Sequence, residues 1–302
     1  MKQFLKSSAW FVLIGLLIYA GVYYGAEQLV YQYARTNRFH AVATANPEGY
    51  DYVILGASHA QPLGFEDAND RLQSASGARI INLSTPGGGL VPNRLLLDYL
   101  LAKCKARSVV YVLDSFAFYS REWNEDRLKD VRLFRRAPLD ADLARLLIAY
   151  NLGGQTGLGV TLDYLSGFSK INNPDRFKPD VSDDELTRFR RVHRPSSRDI
   201  KRVEYLYPAR IDEQTFNRYL SAFGDLIKDL KARDIALIVV RPPIPKRFYD
   251  MIPNEAEFDR RVEALLAGEQ VPYYNFALLD NDAKYFFDRH LTQVLIRHKR
   301  VD

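Results

Sequence analysis

The chain has 302 residues, 47% of them hydrophobic and 26% charged, and a formal charge of +5. That composition excludes a disordered chain and leaves room for one sizeable core plus an appendage. Its 42 basic and 37 acidic residues are spread along the sequence, so charge gives no reason to expect nucleic-acid binding, whereas a domain beside a membrane fits.

The amino end carries the first strong signal. Residues 7–26 are uncharged and largely apolar. At about 1.5 Å per residue such a helix crosses a hydrocarbon layer of about 30 Å. Trp10, Tyr19, Tyr23 and Tyr24 stand toward its ends, where amphipathic rings favour the interface. Lys2 and Lys6 precede it, which predicts a cytoplasmic amino end and an extracytoplasmic remainder. The rival reading is a cleaved signal peptide, but Gly25 and Ala26 lack a small-x-small cleavage pattern around them. Residues 1–27 are therefore expected to be a single-pass anchor and residues 28–49 a stalk, broken by Pro47 and Gly49. Residues 50–302 form one expected domain.

That domain opens with the apolar run YDYVIL at residues 50–55. Further strands are expected at 78–84, 108–114, 235–240 and 271–276. A helix is expected over 93–106, with Asn93 at its N-cap. It carries the single cysteine, Cys104, read as a core or near-core thiol. Phe216, Tyr219, Leu220, Phe223, Ile227 and Leu230 recur at helical spacing within 212–234. Over 254–268, Asn254 and Glu257 have the form of a capping box and Gly268 of a stop. Strands apolar throughout, alternating with amphipathic helices, predict an α/β fold: a flavodoxin-like three-layer sandwich around a mostly parallel five-stranded sheet.

Residues 116–208 do not fit the alternation and read as an insertion. Its run from 188 to 202 holds seven lysines and arginines. That run is either a solvated face or a surface for an anionic glycan, lipid headgroups or a partner. NLGGQTGLG, at 151–159, follows no strand and lacks the lysine of a phosphate loop. No Cys/His spacing suggests a metal, and nothing calls for a cofactor.

Reactive groups in open α/β sheets gather at the carboxyl ends of strands, where Ser58 stands in ILGASHA. A serine after a strand is commonplace by itself. Near the far end, KYFFDRHLTQ carries Asp288 and His290. In an extended segment residues i and i+2 share a side, so Asp288 can fix the tautomer of His290. The other ring nitrogen is then available to take a proton from Ser58. Nucleophile, base and orienter make an acyl-transfer set.

Serine after the first strand, with acid and base together near the carboxyl end, resembles the SGNH (GDSL-like) hydrolase superfamily. ILGASHA stands where that family's first block carries its serine, and YFFDRHLT stands for its last. The usual last block is Asp-x-x-His; this chain has Asp-x-His, a variant associated with alginate O-acetylation proteins. The resemblance implies an oxyanion hole from the Ser58 N–H and a glycine of INLSTPGGGL, Gly87 or Gly88. The family's third block, Gly-x-Asn-Asp, is missing. Ser115 takes roughly the asparagine's place, and Asn124 is too far along to align. Loss of one oxyanion donor costs on the order of 3 kcal/mol. His59, Ser115 and Arg241 are candidates for substrate contact, the alternative for His59 being a side chain turned away and for Arg241 a surface ion pair. His40, His193 and His298 are expected to be exposed.

An anchored domain of this kind resembles the membrane-anchored protein of teichoic-acid D-alanylation and the exopolysaccharide O-acetylation proteins. The resemblance implies acyl transfer or ester hydrolysis on an envelope glycopolymer, in the periplasm at the inner membrane, often beside a membrane-bound O-acyltransferase. The alternatives are a non-catalytic tether of such an acyltransferase and a lipid-directed esterase.

Overall fold

The computed structural model describes residues 1–34, 36–65, 67–178 and 198–279, with the backbone of 286–288 and 291–292. The chain divides into two compact units, Met1–Thr44 with Lys129–Asp180 and Ala45–Leu128 with Val181–Asp302. Helix α1 (Lys2–Tyr33) is long and apolar enough to cross a membrane, with a mean hydropathy of 1.7 over its best window. It runs on through six residues expected in the stalk. The short α2 (Arg38–Ala43) follows, capped by the Asn37 side chain, which accepts from Phe39 N (3.0 Å). His40, expected to be exposed, is buried. It shares α2's inner face with Phe39 and Val42, and its ring meets Tyr31 edge-on at 5.4 Å.

The second unit is built on five parallel strands: β1 (Tyr50–Gly56), β2 (Ile80–Asn82), β3 (Ala106–Val112), β4 (Ala236–Arg241) and β5 (Tyr273–Asn275). Their order is β2-β1-β3-β4-β5, the flavodoxin-like arrangement, with helices on both sides. Val53 pairs with Ile81 on one side and Val109 on the other. Val53, Ile54 and Leu55 are all buried, as a strand covered on both faces requires. Connecting helices are α3 (Ala68–Ser76), α4 (Leu90–Lys103) and the short α5 (Glu125–Leu128). Later come the helices Arg198–Leu206, Glu213–Ala232 and Glu255–Gly268. Glu213–Ala232 is capped by Asp212 and buries Phe216, Tyr219, Phe223, Ile227 and Leu230.

Two helix starts differ from expectation. Helix α4 begins three residues before Asn93, so that Pro92 falls in the first turn, where the missing N–H costs nothing. Asn254 takes a positive φ of 57° and makes no side-chain cap, while Glu257 pairs with Arg260 (2.6 Å).

In the first unit, α1 packs with part of the expected insertion. Three helices, α6 (Ala141–Leu152), α7 (Leu158–Ser166) and α8 (Phe168–Ile171), belong with it. Glu27 accepts from Leu139 N (3.1 Å) and forms an ion pair with the buried Lys170. Burial pushes the Lys170 ammonium below its ordinary value, and Glu27 opposes that shift. The Tyr19 hydroxyl donates to Ser166 O (3.0 Å) and the Tyr23 hydroxyl to Tyr164 O (3.3 Å). Gly167, at φ 70°, leaves room for the Tyr23 ring where a side chain would stand. The insertion is thus not one piece: Phe116–Leu128 and the Arg198–Leu206 helix stay with the sheet unit.

Candidate functional site

Strand β1 ends at Gly56, whose φ of 144° and distance from Val112 leave no room for a side chain: a Cβ there would lie 2.7 Å from the Val112 carbonyl oxygen. The Gly56 N–H donates to Asn93 Oδ1 (3.0 Å), and Asn93 Nδ2 donates to the carbonyls of Gly88 (3.1 Å) and Gly89 (2.8 Å). Asn93, fully buried, therefore ties the end of β1 to the glycine loop after β2 instead of capping a helix. Asn82 makes a parallel tie. Its Nδ2 donates to Ala60 O (2.8 Å), and its Oδ1 accepts from Ser84 N (3.0 Å) and Ser84 Oγ (2.6 Å). Between these ties the chain turns at once, with Gln61 N donating to Ser58 O (3.3 Å). Ser58 is held at the carboxyl edge where the strand order reverses between β1 and β3, the usual ligand crevice of such sheets.

Ser58 lines an open cleft, with His59, Pro86 and Gly87 beside it. The rest of the lining comes from both ends of the expected insertion, Phe116, Trp123 and Arg127 from its start and Arg202 and Tyr205 from its end. Trp123 holds the two ends together. Its Nε1 donates to Leu206 O (3.1 Å), and its ring meets Tyr205 (5.1 Å) and Phe116 (5.5 Å) edge-on. The Arg202 guanidinium stacks over Tyr205 at 5.2 Å. Gly87 sits at φ 61°, where a Cβ would be 2.8 Å from the Trp123 ring. The Gly88 N–H donates to Thr85 O (3.0 Å), so of the two predicted oxyanion glycines it is Gly87 that borders the cleft. Asn124 is buried and joins the same loops: its Oδ1 accepts from Val91 N (3.1 Å), and its Nδ2 donates to Ala117 O (2.7 Å) and Ser120 O (2.9 Å).

His59 turns toward β3. Its Nδ1 pairs with Asp114 Oδ1, and both side chains are nearly buried. An Nδ1–H held by a carboxylate fixes the tautomer with Nε2 as acceptor. Next to this pair lies a sealed cluster. The Ser115 hydroxyl bonds the Tyr207 hydroxyl (2.7 Å) and donates to Glu255 Oε1 (3.0 Å). Burial pushes the Tyr207 phenol above its ordinary value, so it stays protonated. Arg241 is 1% exposed, paired with Glu255 and with Asp259 (Nε–Oδ1 3.1 Å), and lies over the Phe258 ring at 4.9 Å.

The structure brings Ser58, His59 and Gly87 to one cleft, with Gly88 in the same loop. Two expectations need correction. Ser115 and Arg241, taken as substrate contacts, are buried, and their polar groups are occupied by protein partners. The ion pair of Arg241 is a buried one, because the start of the helix Glu255–Gly268 covers the end of β4 with two carboxylates. The backbone of Asp288 ends β6 (Phe286–Asp288), which pairs antiparallel with β7 (Leu291–Thr292). Its side chain and all of His290 lie outside the described residues, as do His193, His298 and 188–197 of the basic run. Asp114 and Trp123 escaped the sequence reading. Asp114 had a signal, an acid directly after an apolar strand; Trp123 had none.

Fold and cleft together define a doubly wound α/β domain with a switch-point crevice, on a chain whose first helix is long and apolar enough to cross a membrane. The chain matches no protein-family model and no curated protein.

Proposed function

We propose that the chain is a membrane-anchored serine acyl-transfer enzyme of the SGNH kind, acting as esterase or O-acyltransferase on an envelope glycopolymer in the periplasm. The observation that carries this reading is Ser58 lining a switch-point cleft with Gly87 beside it. In the reaction Ser58 Oγ attacks the acyl carbonyl and gives its proton to His290, which Asp288 orients. The N–H groups of Ser58 and Gly87 hold the oxyanion. The departing alcohol takes the proton from His290. A sugar hydroxyl or water then attacks the acyl-serine, with His290 as base, and frees Ser58. The wall of Phe116, Trp123 and Tyr205, with Arg127 and Arg202, suits sugar rings that stack on aromatic faces and carry anionic groups.

Labelling with a fluorophosphonate tests the reading. Wild type is expected to label, Ser58→Ala not at all, and His290→Ala at least a hundredfold more slowly. Labelling that persists in Ser58→Ala sinks the proposal. Loss in His59→Ala with normal labelling of His290→Ala would transfer the base to the His59–Asp114 pair.

One observation favours the non-catalytic alternative, a tether of a membrane-bound O-acyltransferase. The Ser115 hydroxyl, in the place of the family's asparagine, is bonded to Tyr207 and Glu255 and offers no donor to the cleft. That reading predicts no labelling of wild type, and cellular acylation that survives Ser58→Ala but not deletion of the chain.

A further inference from the structure

The first unit contains an apolar surface that acyl-transfer chemistry does not explain. On α7 and α8, Leu158 (61%), Leu162 (55%), Leu165 (39%) and Phe168 (62%) are exposed, and Leu152 at the end of α6 is 83% exposed. Contiguous apolar patches of this kind on soluble surfaces mark a partner or a membrane. No charged residue occurs between Arg145 and Asp163. The Asp163 carboxylate is bonded within the corner, accepting from Ser169 N (3.1 Å) and Ser169 Oγ (2.8 Å). Lys170 is buried against Glu27.

The depth of this corner along α1 is fixed by two hydrogen bonds, Tyr19 to Ser166 O and Tyr23 to Tyr164 O. If residues 7–26 fill the hydrocarbon layer, Tyr19 lies seven residues, about 10 Å, inside its outer boundary at 1.5 Å per residue. The α7–α8 corner is at that level. Leu16, Leu17 and Ile18, in the turn of α1 before Tyr19, are exposed at 62%, 64% and 64%.

We propose that the α7–α8 corner is a second membrane contact, in which Leu162, Leu165 and Phe168 enter the outer leaflet of the bilayer beside α1. The proposal rests on the reading of α1 as an anchor. The element lies in the interface as an amphipathic monotopic segment does, its apolar side chains in the acyl region. Its occupant is lipid because its level on α1 is that of the acyl chains.

The test uses the full chain with Cys104→Ala, reconstituted in phosphatidylethanolamine–phosphatidylglycerol vesicles. Single cysteines at Leu162 and Phe168 carry an environment-sensitive fluorophore. Leu13→Cys in α1 serves as the buried reference. Lys178→Cys serves as the aqueous one, since its neighbour Phe177 packs on Tyr33 at 6.2 Å, well beyond residue 26. The expected result is blue-shifted emission at 162 and 168, quenched by brominated lipid several-fold more than the probe at 178 and shielded from iodide. If the probe at 13 is quenched by lipid while those at 162 and 168 respond to iodide like 178, the corner proposal fails and the anchor stands. If the probe at 13 is itself reached by iodide, the anchor reading falls and takes the corner with it.

Discussion

Ser58 and Ser115 occupy similar places in the chain. Each follows the carboxyl end of an apolar parallel strand, β1 for the first and β3 for the second, on the two sides of the sheet's switch point. Their surroundings are opposite. Ser58 lines an open cleft, whereas Ser115 is 2% exposed beneath Tyr207 and Glu255. The two arginines near these sites divide the same way. Arg202 stacks on Tyr205 in the cleft wall, and Arg241 is enclosed by carboxylates. A reactive residue type at the end of a strand is thus not enough. The loop after it decides whether the group meets solvent or is absorbed into the fold.

The largest effect that separates the two regions belongs to Arg241. Arg241→Met leaves Glu255 and Asp259 facing an uncharged neighbour, and loss of one partner from a buried charge pair costs about 3–5 kcal/mol. Chemical denaturation should show that loss, with Arg202→Ala costing no more than about 1 kcal/mol, the size of its cation–π contact with Tyr205. Equal effects at the two positions would erase the distinction.

Asn93→Ala comes next. It strips the Gly56 N–H and the Gly88 and Gly89 carbonyls of a buried partner, at a cost of about 2–3 kcal/mol. Because the lost ties hold both the turn before Ser58 and the glycine loop, fluorophosphonate labelling should slow as well. Unchanged labelling would mean that the cleft does not depend on Asn93. Gly56→Ala forces a Cβ against Val112 at a positive φ, a strain of about 1–3 kcal/mol readable in the same denaturation assay.

Ser115→Ala has the smallest expected effect on stability, about 1 kcal/mol for its hydrogen bonds. Labelling should stay within about twofold of wild type if the cluster is separate from the chemistry. A tenfold loss would return Ser115 to the site.

Much of the sheet was legible in the sequence. A strand covered on both faces must be apolar throughout, and the runs at 52–55 and 235–240 are. The helix Glu213–Ala232 was legible because its apolar spacing is long and its Asp212 cap is local. Asn93 misled for the opposite reason: its partners Gly56, Gly88 and Gly89 come from tertiary structure, while a cap reading uses only the next three residues. The division of the insertion was equally hidden, since it depends on the pairing of Glu27 with Lys170, far apart in the chain. At the site, Ser58 and Gly87 were readable from a strand followed by a short glycine-bearing loop. The burial of Ser115 and Arg241 was not, because Tyr207 and Glu255 enter from elements with no sequence relation to either.

The central claim is that Ser58 is the group that bonds to the acyl carbon. The most direct measurement is peptide mapping by mass spectrometry of the full chain after reaction with a fluorophosphonate. The account predicts a single adduct, on the peptide holding Ser58, that forms at least a hundredfold more slowly when His290 is replaced by alanine. An adduct on any other residue, or none on a folded chain, would contradict it.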